Sequence, residues 1–215
     1  MKIKKLFVLS ITALVAVFFA REALSGPLSD VRRDFTAALE VSDGVKMLSI
    51  VEANKDKIPA EIKAMLEEAK AAKENKKGLY YAAETMSRYY MDVLGDASYL
   101  IEVRKADFES RLTPPVRSTS VKGLHTIEVP KPTANAKNVF APDNIVIKKG
   151  GTVRWINKDS TAHIFASLSF MGKKGIKSQS VEPGKSYDFW FEKPGEYYYI
   201  CYIHNSMIWK VTVEE

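Results

Sequence analysis

The amino-acid sequence predicts a two-domain chain, an antiparallel helical bundle followed by an all-β sandwich. The spacing of apolar residues changes from a helical period of about 3.6 to the strand period of 2 after residue 113. Thr113-Pro114-Pro115 ends the helical pattern, because the residue before a proline avoids helical geometry. A length of 215 residues leaves room for two small domains. We therefore place a helical domain at 26–113, a linker at 114–123 and a β domain at 124–215.

Residues 1–25 have the pattern of a signal peptide or a signal-anchor. Lysines at positions 2, 4 and 5 precede an apolar run at 6–20, and Ala23-Leu24-Ser25 offers small residues for cleavage. The run is short for a membrane span, which needs about 20 residues. The sequence therefore predicts export to the periplasm or another extracytoplasmic space. A membrane anchor through 6–20 is expected only if the segment stays uncleaved.

The helical region is poor in glycine and proline, and its apolar residues recur at helical spacing. Gly44 interrupts the first helical pattern, so a break is expected there. Pro59 suits the first residue of the next helix, and Gly78 suits the position just beyond its end. A longer apolar stripe runs over 79–100. The pattern predicts three helices, or four if Gly44 divides the first one.

The C-terminal region contains short runs with alternating apolar residues, separated by Pro-Asp, Gly-Gly and Pro-Gly turn signals. The runs cover 125–129, 145–147, 153–156, 187–191, 197–200 and 208–213. Regularly spaced short strands of this kind are typical of a β-sandwich.

The charge of the chain excludes one class of partner. The formal net charge is +6, but the lysines are scattered and form no continuous basic stripe. Nucleic-acid binding needs a concentrated basic surface, so we do not expect it. A solvated basic surface is the simpler interpretation.

The chemistry of the chain is concentrated in the stretch Cys201-x2-His204-x2-Met207. It contains the only cysteine and one of three histidines, and His163 can supply a second imidazole. Two imidazoles, one thiolate and a weak axial thioether are the ligands of blue-copper electron-transfer sites. An exported protein with one cysteine either dimerises through it or uses it, and metal ligation is the better explanation here.

These residues resemble the cupredoxin family. Phe140-x-Pro142, the strand 152–157 and His163 look like the first half of such a domain, and 194–207 looks like its ligand loop. The two-residue gap between His204 and Met207 is more similar to amicyanin than to plastocyanin or pseudoazurin.

The resemblance implies a Greek-key β-sandwich over about 125–215 that holds one copper per chain and carries single electrons. His163, Cys201 and His204 would form a trigonal plane, with Met207 as the long axial ligand. An apolar patch for redox partners would surround His204, with Ile203, Phe170, Met171 and Ile208 as candidates.

Two positions depart from the family. Ile164 follows His163 where the family often has asparagine, so the hydrogen bond to the ligand loop must come from another group or be absent. Asn205 and Ser206 occupy loop positions where amicyanin has a proline. His125, at the start of the first strand, is expected to be a surface or core residue.

Other functions remain open from the sequence. A copper-binding chaperone usually has exposed Met- or His-rich tracts, which the sequence lacks, and the helical domain makes a sensor conceivable. A copper oxidoreductase, or a subunit of one, needs further histidines, and only His125 is left. We therefore expect an electron carrier rather than an enzyme. The helical domain is expected to dock partners or to form a homo-oligomer.

Overall fold

The computed structural model describes residues 28–132 and 140–215. Their contacts divide the chain into two compact units, one ending at Ser110 and the other running from Arg111 to Glu215. The predicted signal segment lies outside the described residues. Within the described ranges, no helix has both the length and the apolar character needed to cross a membrane.

The first unit contains five helices within its described residues. They are α1 (Asp30–Glu40), α2 (Gly44–Ala53), α3 (Ile58–Ala71), α4 (Lys76–Leu94) and α5 (Ser98–Glu109). The Ser29 side chain accepts a hydrogen bond from the Arg32 N–H and caps α1, while Pro59 lies in the first turn of α3. The predicted apolar stripe of α4 is buried at Leu79, Ala83, Met86 and Tyr90.

Glycine positions explain the difference between the predicted and observed number of helices. The break at Gly44 is confirmed, because α2 begins there and the Asp43 side chain caps it through the Lys46 N–H. The segment 79–100 is not one helix, since Gly95 adopts a left-handed φ of +72° and ends α4. The prediction for Gly78 is wrong. This glycine is buried inside α4, which begins two residues before it.

The second unit contains eight strands in its described residues. They are β1 (Val116–Arg117), β2 (Leu124–Val129), β3 (Asn144–Lys148), β4 (Thr152–Asn157), β5 (Phe165–Ser167), β6 (Ser186–Trp190), β7 (Gly195–Cys201) and β8 (Ile208–Glu214). One sheet has the order β1-β3-β8-β7-β5, and the other has the order β2-β4-β6. Both sheets mix parallel and antiparallel pairs. The result is the β-sandwich that the sequence predicts.

Two short strands were not predicted. β1 lies in the segment that was expected to be a linker, and it pairs in parallel with β3. Arg117 in β1 also donates two hydrogen bonds, of 2.8 and 2.9 Å, to the carboxylate of Glu214. β5 pairs antiparallel with β7 and places Phe165 opposite Cys201. Strands of two or three residues are too short to show a periodic pattern, so only the fold reveals them.

The core between the two sheets is rich in aromatic side chains. Trp155, Tyr199 and Trp209 are fully buried, and their rings contact one another. Among the described residues, the Tyr199 hydroxyl and both indole N–H groups form no well-aligned hydrogen bond. Burial raises the pKa of Tyr199 well above its usual value, and the neighbouring Trp155 indole N–H opposes this only in part. Tyr197, two residues earlier on the same face of β7, differs because its hydroxyl donates to the Lys193 carbonyl at 2.8 Å.

This difference predicts opposite effects for two identical substitutions. Tyr199→Phe removes a buried hydroxyl that has no well-aligned hydrogen bond, so the free energy of unfolding should stay the same or rise by about 1 kcal/mol. Tyr197→Phe removes the hydrogen bond to the Lys193 carbonyl and should lower the free energy of unfolding by about 1 kcal/mol. Urea unfolding of the metal-free protein measures both. A clear loss of stability in Tyr199→Phe would contradict the expected order.

Candidate metal centre

Three potential metal ligands converge at one end of the sandwich. The Cys201 sulfur lies 3.5 Å from Nδ1 of His163 and 3.6 Å from Nδ1 of His204. The two Nδ1 atoms are 3.2 Å apart. Cys201 and His163 are fully buried, whereas His204 is half-buried. The structure therefore brings together three of the four side chains that the sequence suggests as metal ligands.

The spacing of these donors fits a metal ion. A point equidistant from the three atoms would lie about 2.0 Å from each of them. Zinc bonds in proteins, for comparison, are about 2.0 Å to nitrogen and about 2.3 Å to sulfur. One thiolate and two imidazoles suit copper in particular, because the soft sulfur ligand favours Cu(I) while imidazole suits copper in general.

The sandwich brings together ligands that are far apart in the sequence. His163 lies in the loop between β4 and β5, and its backbone exchanges hydrogen bonds of 3.2 and 2.8 Å with Val181. Cys201 is the last residue of β7. The loop that follows is closed by two backbone bonds, from the Met207 N–H to the His204 carbonyl and from the Cys201 N–H to the Met207 carbonyl, at 2.8 and 3.0 Å.

Asn157 fixes the loop that carries His163. Its side chain is fully buried, and its amide donates to the carbonyls of Thr161 and Val181 at 2.8 Å each. Its carbonyl oxygen accepts from the Asp159 N–H at 2.9 Å. The Asn157 side chain thus holds the loop between β4 and His163 together and ties it to the segment that contains Val181.

Asp159 is a site residue to which the sequence analysis assigns no role. Its carboxylate Oδ2 lies 3.0 Å from Nε2 of His163, and both side chains are buried. The N–H and hydroxyl of Ser160 donate to Oδ1 at 2.6 and 3.3 Å, and the Thr161 hydroxyl donates to Oδ2 at 2.9 Å. Burial alone would raise the pKa of Asp159, but the bonds from Thr161, Ser160 and His163 hold it below its usual value.

The surroundings of Cys201 favour the thiolate. Burial alone would raise the pKa of the thiol, but His163 and the backbone N–H groups of Ile164, His204 and Ile203 lower it to about 6. For His163, burial works against the charged form, but Cys201 and Asp159 outweigh it and raise the pKa of the imidazole. Cysteine binds metals as the thiolate, so an environment that lowers the pKa of Cys201 favours metal binding.

The remaining site candidates lie in different surroundings. Met207 is buried in the same core as Cys201, at the end of the ligand loop. His125 lies outside the cluster, with its Nδ1 2.9 Å from the Ser118 hydroxyl. Ile164, which stands where the family often has asparagine, links the two ligand segments through its backbone. Its carbonyl accepts a hydrogen bond of 2.7 Å from the Tyr202 N–H.

The predicted apolar patch around His204 needs correction. Met171 is 4% exposed, so its side chain does not contribute to an exposed surface. Phe170 is exposed, but it follows β5, which leads away from the ligands because it pairs antiparallel with β7. The Leu168 N–H, just after β5, bonds the Tyr198 carbonyl. Tyr198 lies three residues before Cys201 on β7, which is about 10 Å along a strand.

Two other residues supply exposed apolar area beside the ligands. Ile203 is 51% exposed, and Tyr202, which the sequence analysis did not select, is 71% exposed. Both follow Cys201 directly in the ligand loop. Ile208 is partly exposed at the start of β8.

The role of Asn157 predicts a large loss of stability. Asn157→Leu leaves the buried Asp159 N–H unpaired and removes one hydrogen bond from each of the Thr161 and Val181 carbonyls, of which Val181 keeps only the bond from the His163 N–H. We therefore expect the free energy of unfolding to fall by about 3 kcal/mol. Urea unfolding of the metal-free protein measures this. Asn205→Ala, in the exposed part of the ligand loop, is the control and should change stability by less than about 0.5 kcal/mol. Equal effects of both substitutions would contradict the assigned role.

Comparison with known proteins agrees with this geometry. Residues 125–213 match the family model of the cupredoxin-like domain. The chain is 34% identical over 80 residues to amicyanin-alpha of Methylorubrum extorquens, covering 37% of this chain and 67% of that protein. It is 30% identical over 80 residues to amicyanin of Paracoccus denitrificans, covering 37% and 61%. A solved purple cupredoxin from Nitrosopumilus maritimus is 30% identical, covering 41% of this chain and 98% of that chain, with a TM-score of 0.38.

The matching region thus contains β3 to β7, nearly all of β2 and β8, and the three converging donors. The chain belongs to the cupredoxin-like domain family.

Proposed function

We propose that the protein is an exported type 1 (blue) copper protein that carries single electrons between redox partner proteins. The observation that carries this proposal is the buried Cys201 sulfur within 3.6 Å of two imidazole Nδ1 atoms. One copper per chain would be held by His163, Cys201 and His204, with Met207 as the axial ligand. Bound copper would supply a one-electron couple between Cu(I) and Cu(II). The protein is not an enzyme by itself.

The chain's own contribution is to keep the donors in place. Asn157 and the backbone of Val181 fix the His163 loop, and two backbone bonds close the loop from Cys201 to Met207. Donors held in this way move little when the charge at the site changes. A small rearrangement is an advantage for electron transfer, because each rearrangement adds to the barrier.

The exposed side of the site supplies a surface for partners. His204 is half-buried, and Tyr202 and Ile203 extend into solvent directly beside it. We define these two residues together with Ile208 as the port surface. Exposed apolar area next to a binding site is typical of protein contacts, and tyrosine is among the side chains that most often dominate their energy.

Reconstitution with Cu(II) tests the proposed function. The protein should bind about one copper per chain and show a strong visible band from the Cys201 thiolate, as in the cupredoxin family. Cys201→Ser should lose that band, because the hydroxyl does not replace the thiolate. Ser206→Ala, an exposed substitution in the same loop, should keep it. Colourless wild-type protein, or an unchanged spectrum in Cys201→Ser, would contradict the proposal.

We also propose that residues 1–25 direct export and that the helical unit docks partners or forms a homo-oligomer. The export proposal is supported by the lysines and the apolar run at 6–20. The helical unit carries two strongly exposed valines, Val41 at 74% and Val45 at 80%, which lie close together in the chain at the turn between α1 and α2. Exposed apolar side chains of this kind favour contact with another protein surface.

Mass measurements test both parts of this proposal on protein purified after expression from the full chain. The denatured mass should show that the N-terminal segment has been removed, and the native mass should show a dimer. The double substitution Val41→Ser/Val45→Ser should convert the dimer to a monomer, whereas the exposed control Lys73→Ser should not. A monomeric wild type would exclude the homo-oligomer and leave partner docking as the role of the unit.

A further inference from the structure

We infer that Asp159 is a positioning residue that orients His163 as a ligand and lowers the reduction potential of the metal site. This inference rests on the proposed copper function. The observation behind it is a carboxylate oxygen 3.0 Å from the ring nitrogen of His163 that faces away from Cys201. The Asp159 side chain is 1% exposed, so the contact is shielded from water.

The hydrogen bond determines which nitrogen of His163 is available to the metal. A carboxylate accepts a proton from Nε2–H, and this leaves the lone pair on Nδ1. Nδ1 is the atom that lies 3.5 Å from the Cys201 sulfur and 3.2 Å from Nδ1 of His204. Without the carboxylate, the neutral ring is free to carry its proton on Nδ1 and to block the ligand position.

The carboxylate is itself held in one orientation. Ser160 donates two hydrogen bonds to Oδ1, and the Thr161 hydroxyl donates to Oδ2 at 2.9 Å. The Asp159 N–H bonds the buried Asn157 side chain. The carboxylate therefore cannot turn away from His163 without breaking three partly buried hydrogen bonds as well as the buried contact with His163, which is what a positioning residue requires.

The charge of the site gives the direction of the effect on the potential. With Cu(II) bound, one thiolate and two neutral imidazoles would leave a net charge of +1, which the Asp159 carboxylate would neutralise. One electron from a reduced partner protein, taken up without a proton, would change the charge of the same site from 0 to −1. In a buried site this negative charge is poorly shielded. The carboxylate consequently favours the oxidised state, and its removal should favour the reduced state.

The Asn variant measures this contribution. Asp159→Asn keeps the shape of the side chain and removes its charge, and such supporting partners typically change metal affinity by 10- to 100-fold. Compared with wild type, the ratio of Cu(II) affinity to Cu(I) affinity should fall at least about tenfold in this variant. That corresponds to a rise in the reduction potential of about 59 mV for one electron. The visible band should persist, because all ligands remain.

Three further variants separate this effect from a general loss of structure. Asp159→Glu retains the charge and should restore most of the potential. Thr161→Val removes one bond to the carboxylate but keeps the charge, so it should shift the potential less than Asp159→Asn. Asp188→Asn removes a carboxylate that pairs with Arg154 at the exposed side of the same domain, and it should leave the potential unchanged.

A second measurement does not require copper. Nitrogen NMR of the metal-free wild-type protein, at a pH high enough to keep His163 neutral, should show its ring proton on Nε2, with His125 and His204 as internal references. A ring proton on Nδ1, or equal potentials in wild type and Asp159→Asn, would overturn the inference. A wild-type protein without a visible band would instead overturn the proposed function, so the two failures are distinguishable.

Discussion

The metal centre depends on the antiparallel pairing of β5 with β7. This pairing places Phe165 opposite Cys201, so His163, two residues before Phe165, is brought to the end of the strand that carries the thiol. The Tyr202 N–H then bonds the Ile164 carbonyl at 2.7 Å and extends the pairing by one step into the ligand loop. A strand of only three residues thus joins two ligand segments that are separated by 38 positions in the sequence.

The sequence indicates the three converging donors more clearly than the residues that surround them. Cys201, His204 and His163 are recognisable because they are rare residue types in a spacing that metal chemistry explains. Asp159 is harder to recognise, since an aspartate in a polar loop is ordinarily a turn residue. Its distance of four positions from His163 is the only feature of the sequence that points to a contact. That contact forms only in the loop conformation that the Asn157 hydrogen bonds stabilise.

The same limit explains the error in the apolar patch. Phe170 and Met171 are apolar residues in a loop, and the sequence does not show in which direction that loop runs. Backbone pairing beside β7 carries them away from Cys201, and Met171 is buried. In the helical unit, Gly95 is a residue type that often ends helices. The apolar stripe continues on both sides of it, so the sequence pattern predicts one helix where the structure has two.

At Ile164 the two ligand segments are joined by backbone contacts. An asparagine at this position would link the ligand segments through its side chain. Here the Ile164 carbonyl accepts from Tyr202, and the backbone N–H of Ile164 helps to stabilise the Cys201 thiolate. Backbone contacts do not depend on which side chain is present, so the rigidity of the site does not require an asparagine at 164. Control of the charge then falls to Asp159, whose carboxylate is held by the Ser160 N–H and by the hydroxyls of Ser160 and Thr161. The backbone contacts of Ile164 do not involve this carboxylate, so a substitution at Asp159 can change the charge of the site without removing them.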